Sequence, residues 1–171
     1  MTGAVGHQSE PPPSETPKRT ADEYMTRTRA EEPGNRSQRI SRELLCRMRS
    51  ECQQLVAAAF WWGDSRAEEA FAQSFTPDGV FDRAGDLIRG REALARYIRQ
   101  RPPTVTVRHF NSLPVVTVYD RRHLSSVTLS TVCRWDGDAT PAIIRADVFD
   151  DCVLTDEGWR IVLRKAQPCG G

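Results

Sequence analysis

Few side chains in this sequence are equipped for proton chemistry, and His109 is the first of them. In the strand-like run Thr104–Asn111 a period of two places Val105, Val107, His109 and Asn111 on one face and Thr106, Arg108 and Phe110 on the other. An imidazole is the side chain whose ordinary titration lies nearest neutral pH. Set among valines, it suits removal of a proton from a carbon beside a carbonyl or a leaving group. The plain alternative is a core histidine satisfied by a backbone carbonyl. Of the other two histidines, His123 follows two arginines in a turn, where solvent exposure is expected, and His7 lies near the N-terminus. A histidine-based metal site would have at most His109 and His123 to draw on, and none of the five cysteines forms a CxxC pair. Neither a metal nor another cofactor is expected. Four of the cysteines fall in apolar-periodic segments, where reduced Cys acts as a small core residue. Asp64 immediately precedes Ser65-Arg-Ala-Glu68, a capping-box pattern, so its local reading is a helix cap.

Other candidates are aromatic or polar. Trp61 and Trp62 follow Phe60 and can either wall an aromatic or terpenoid-sized pocket or pack as ordinary core. Asp82 shares a strand face with Val80. Arg145 and Asp147 alternate with Ile143 and Phe149, so they either project inward as ligand-orienting groups or form the solvated face of an edge strand. No GxSxG, GxxxxGK[ST] or GxGxxG string occurs, which leaves hydrolase-triad, nucleotide and dinucleotide readings unsupported. With 24 basic against 23 acidic residues the net charge is +1, excluding a strongly basic nucleic-acid binder. No apolar run is long enough for a membrane helix and no signal-peptide core is visible, so no membrane partner is expected and the expected location is cytoplasmic.

The elements that must position these residues follow from periodicity. Leu44, Leu45, Met48, Cys52, Leu55, Val56 and Ala59 form one helical stripe running into Phe60-Trp61-Trp62 and stopping at Gly63. A second helix is expected just after Asp64, ended by a Pro77-Asp78-Gly79 turn. Val80–Asp82 and Leu87-Ile88 read as a hairpin. A third helix after Gly90 turns Leu94, Tyr97 and Ile98 to one side, making Tyr97 a candidate pocket residue, and Pro102-Pro103 closes it. Thr104–Asn111, Val115–Tyr119, Leu124–Trp135, Ala142–Leu154 and Trp159–Lys165 are strand-like. Helices followed by long antiparallel strands make an α+β domain whose sheet must twist and curl around the helices, leaving a hollow. Residues 1–38, poor in apolar side chains and rich in Pro and charge, are expected to be a disordered tail with short helical stretches near Ala21–Arg29. Residues 39–167 form the domain, and 168–171 a C-terminal tail.

This order of elements resembles the SnoaL-like branch of the nuclear transport factor 2 superfamily, a cone-shaped fold in which a strongly curved, mixed or antiparallel sheet wraps N-terminal helices and encloses a pocket. The matching strings are Gly63-Asp-Ser-Arg66, Phe75-Thr-Pro-Asp-Gly-Val-Phe-Asp82, Gly90-Arg-Glu-Ala-Leu94, Val107-Arg-His-Phe-Asn111 and Asp156-Glu-Gly-Trp-Arg-Ile161, which together span residues 41–166. In dehydratases and a dehydrochlorinase of this fold, an Asp ending the first helix works with a His on the first long strand. The resemblance therefore implies a catalytic pair of Asp64 and His109, the carboxylate fixing the imidazole tautomer. It also aligns Thr128 with a second pocket histidine of scytalone dehydratase, and Gly63 with the tyrosine that precedes its Asp.

Two functions from different classes follow. One is a cofactor-independent lyase or isomerase, dehydratase-like, acting on a small hydrophobic molecule, polycyclic or terpenoid, through His109 and Asp64, with Trp61, Trp62, Asp82, Tyr97, Thr128 and Arg145 contacting substrate. The other is a non-catalytic ligand-binding or assembly domain, such as a small subunit beside a larger oxygenase, motivated by the absent tyrosine and second histidine. The open face of a curled sheet is a natural subunit interface, so a homodimer is expected in either case.

Overall fold

The computed structural model describes residues 40–169. The tail 1–38, its helical stretches and His7 lie outside the described residues, as do the last two glycines. Helix α1 spans Arg42–Asp64, and its N-terminus is capped by Ser41, whose hydroxyl accepts the Leu44 N–H at 3.1 Å. Its buried stripe is Met48, Cys52, Val56, Ala59, Phe60 and Gly63. Helices α2 (Glu68–Gln73) and α3 (Arg91–Arg99) pack on each other, burying Phe71 and Ala72 from one and Leu94, Ala95 and Ile98 from the other.

The strands are β1 (Phe75–Arg83), β2 (Asp86–Arg89), β3 (Val105–Asn111), β4 (Val115–Val118), β5 (His123–Asp136), β6 (Ala142–Thr155) and β7 (Gly158–Pro168). They form one sheet in the order β2-β1-β7-β6-β5-β3, with β4 also paired to β5. The β1–β7 pairing is parallel and every other pairing is antiparallel, so the curved, unclosed sheet is mixed. β5 is long enough to hold β4 along Leu124–Val127 and β3 along Ser130–Asp136. β7 continues through Pro168, so the sheet takes in the first residue assigned to the C-terminal tail.

Several local expectations are corrected. Ser65-Arg-Ala-Glu68 is not a capping box: α2 begins at Glu68 behind Ala67, which makes no side-chain cap. Instead Ser65 donates its hydroxyl back to the Trp61 carbonyl at 2.7 Å, and Arg66 turns the chain with a φ of 61°. Pro77-Asp78-Gly79 is not a turn but an irregular part of β1, where the pairing with β7 shifts between Phe75 and Val80. Gly79 is required there, since a Cβ would stand 2.8 Å from the Phe75 Cβ and 3.0 Å from the Ile161 carbonyl oxygen. Of the cysteines, Cys52 and Cys152 are core residues in contact with each other, which together with burial holds the Cys152 thiol well above its ordinary range; Cys46 is exposed.

Candidate active site

Between the sheet and the helices lies a cavity of about 590 Å³, walled chiefly by apolar side chains such as Ala59, Phe71, Val107, Val132 and Val148. That is within the usual range for small-molecule sites. His109 is on its wall, on the same face of β3 as Val105 and Val107, as the period of two requires.

Asp64, the last residue of α1, sits behind the His109 ring. Its Oδ1 lies 2.6 Å from His109 Nδ1, and its Oδ2 accepts the His109 backbone N–H at 2.8 Å. One carboxylate thus fixes both the ring and the strand that carries it. Because β3 is at the sheet edge, that N–H has no strand to bond to and the acid takes it. An ionised Asp64 keeps the proton on Nδ1 and leaves the Nε2 lone pair as the basic position. The helix-cap reading of Asp64 does not hold, since its side chain points to β3.

The end of α1 and the chain entering β3 are fastened by arginines. Arg66 donates to the carbonyls of Arg101 (2.7 Å), Pro102 (2.6 Å) and Val105 (2.6 Å). Arg101 donates to Gly63 O at 2.9 Å and Arg108 to Asp64 O at 3.1 Å, two cations at a helix C-terminus whose dipole favours them. Burial, followed by the charges of Arg66 and Arg108, lowers the Arg101 pKa from its ordinary value, while Tyr97 and Asp64 oppose the shift.

A second pair was not anticipated from sequence. Arg164 on β7 donates Nε and Nη2 to the two oxygens of Asp150 on β6, at 2.7 and 3.0 Å, and both side chains are almost wholly buried. Arg164 lines the cavity and stacks its guanidinium 4.4 Å over the Phe60 ring. The His109 ring centre is 5.1 Å from that same ring, so Phe60 touches both polar groups.

The remaining sequence candidates divide. Tyr97 lines the cavity, with the Arg83 guanidinium 4.9 Å over its ring. Trp61 is 69% exposed and Trp62 packs against the core, so neither joins the wall; Phe60 does. Asp82 closes the β1–β2 turn by accepting the Gly85 N–H at 2.7 Å, and its neighbours Phe81 and Arg83 reach the cavity instead. Thr128 is fully buried but does not line the cavity, and its hydroxyl has no hydrogen-bond partner. Arg145 is exposed on the outer face, because Ile144, Ala146 and Val148 are the inward residues of β6. His123 is exposed and bonded to Asp120. Among the described residues no three His, Cys, Asp or Glu side chains converge as a metal group.

A curved mixed sheet closed by helices over an apolar cavity is the nuclear transport factor 2-like architecture. The chain belongs to the SnoaL-like domain family, whose model matches residues 46–165. No curated protein matches it. Among solved structures it resembles Rv3472, a protein of unknown function from Mycobacterium tuberculosis, at 26% identity and a TM-score of 0.66 over 74% of each chain. It also resembles a putative scytalone dehydratase from Novosphingobium aromaticivorans, at 14% identity and a TM-score of 0.69 over 76% of this chain and 89% of that one. A ketosteroid isomerase-like protein from Erwinia carotovora atroseptica shares the fold at 12% identity and a TM-score of 0.63, over 71% of this chain and 96% of that one. No helix among the described residues is long and apolar enough to cross a membrane.

Proposed function

We propose that this protein is a lyase or isomerase that moves a proton on a small, largely apolar molecule, with His109 as general base and Asp64 as its orienting acid. The observation that carries this reading is the Asp64 carboxylate bridging the ring and backbone of His109 at the wall of an apolar cavity. In the reaction, Nε2 takes a proton from the carbon beside a carbonyl, and the imidazolium formed is stabilised by Asp64. Returning the proton to another carbon completes an isomerisation; giving it to a departing hydroxyl completes a dehydration. In this reading the Arg164 guanidinium, at the cavity wall and paired with Asp150, acts as a fixed dipole toward oxygen charge developing on the substrate. The relatives named as dehydratase and isomerase make the same chemical class plausible here.

The test is deuterium uptake from heavy water into a panel of cyclic ketones and β-hydroxyketones, followed by NMR. Wild-type protein is expected to catalyse exchange or water loss on a subset, and His109→Ala to lose it while keeping its circular dichroism spectrum. Equal exchange by both proteins would overturn the assignment.

The same reading includes self-association into a homodimer in the cytoplasm. Phe110, Leu129 and Ile143, from three neighbouring strands, are about 60% exposed on the outer sheet face. Sedimentation at micromolar concentration is expected to give a dimer, and Leu129→Arg a monomer; a monomeric wild-type protein would refute it.

A further inference from the structure

The cavity wall holds four arginines, Arg83, Arg101, Arg134 and Arg164, and no Asp or Glu among the described residues. In a chain with 24 basic and 23 acidic side chains, that one-sidedness is local and does not follow from composition. Arg164 is neutralised by Asp150. Of the other three, Arg83 and Arg134 are exposed and Arg101 is half-buried.

Two of them belong to the β3–β5 part of the wall. Arg134 stands opposite Val107 in the β3–β5 register, and Arg101 lies on the segment that leads into β3. Arg134 has no ion-pair partner among the described residues. Arg101 spends Nη2 on the Gly63 carbonyl, and its Nη1 is buried with no acceptor. A guanidinium nitrogen closed off without an acceptor is unfavourable, and a turn of the Arg101 side chain toward an oxyanion at the wall would supply one. Arg83, on β1, is engaged with the Tyr97 ring and, at 3.6 Å, with Asp86.

We propose that the substrate of this site is an amphipathic anion whose apolar body fills the cavity and whose oxyanion, a carboxylate, sulfonate or phosphate, is held by Arg101 and Arg134. As a statement of substrate class it rests on the catalytic reading above; as a statement of binding it is measured without turnover. Guanidinium groups match oxyanions in charge and in fork geometry, and the apolar wall rejects a small inorganic anion by leaving its hydration unreplaced.

The test compares two fluorescent probes that differ by one group, 1-anilinonaphthalene-8-sulfonate and its neutral analogue N-phenyl-1-naphthylamine. Wild-type protein is expected to bind the sulfonate about tenfold more tightly than the neutral probe. That preference should shrink as salt is raised from about 0.01 to 1 M. Arg134→Gln should reduce it and Arg134→Glu abolish it, both at an exposed position where the fold tolerates change, whereas Arg83→Gln should have the smaller effect. Equal affinity of wild type for the two probes, or a sulfonate preference unmoved by Arg134→Glu, would overturn the proposal; the second result would place the probe on the outer sheet face. The two readings separate cleanly. Protein that discriminates the probes but exchanges no substrate proton retains this inference and loses the catalytic one, and the opposite pattern does the reverse.

Discussion

Asp64–His109 and Asp150–Arg164 are both carboxylates paired with a nitrogen base across separate elements, yet they differ in what the pairing leaves over. Asp64 and His109 keep 9% and 23% of their side-chain surface, and the ring retains an unshared nitrogen at the cavity wall. Asp150 and Arg164 keep 0% and 2%, and two oxygens meet two nitrogens in a bidentate pair. An imidazole is a side chain that can hold or release a proton, whereas the second pair is a fixed charge distribution, because an arginine stays protonated. On the proposed reading, proton transfer and static charge stabilisation fall to two pairs that share the Phe60 ring.

That division can be broken from either side. The largest effect is expected for His109→Ala, which should lower turnover by about 10²- to 10⁴-fold with little change in the urea midpoint. Asp150→Ala should act on stability instead, costing about 3–5 kcal/mol in equilibrium unfolding because it leaves a buried guanidinium uncompensated. Asp64→Asn leaves one acceptor oxygen where the His109 ring and backbone N–H each use one, and removes the charge, so turnover should fall by about 10²-fold, the lower end of what a positioned base contributes. The smallest stability change is expected for the double variant Asp150→Leu/Arg164→Met, since replacing both members of a buried pair by apolar groups is often neutral or stabilising. If it unfolds as readily as Asp150→Ala, the pair is more than a balanced charge. If it is stable and fully active, Arg164 has no part in the chemistry.

The same contrast explains what the sequence disclosed. His109 was legible because β3 alternates regularly from Val105, and the α1 stripe because its apolar spacing is unbroken. The Asp150–Arg164 pair was hidden by a bulge. Asp151 faces Leu163 while Cys152 faces Ile161, so Val162 is an extra residue, and the inward face passes from Ile161 to Arg164. A strict period of two from Trp159 turns Arg164 outward. On β6 both alternations contain apolar residues, and the inward one holds Asp150, whose burial is acceptable only with a partner from β7. Of the two readings open for Arg145, inward group or solvated face, the second is the one the strand takes. Asp64 carried two meanings in the sequence, helix cap and ring partner, and only the turn at Arg66 decides between them.

That turn also sets the spacing within the site. Arg66 lies two residues beyond Asp64, and the last carbonyl it holds belongs to Val105, four residues before His109. One guanidinium, committed to three backbone oxygens, therefore gauges the distance between acid and base across about forty positions of chain. The alignment of the His109 ring thus rests on the protein's own backbone contacts. On the proposed reading, ligands that differ at their charged end should differ in residence time and leave the pH profile of turnover unchanged.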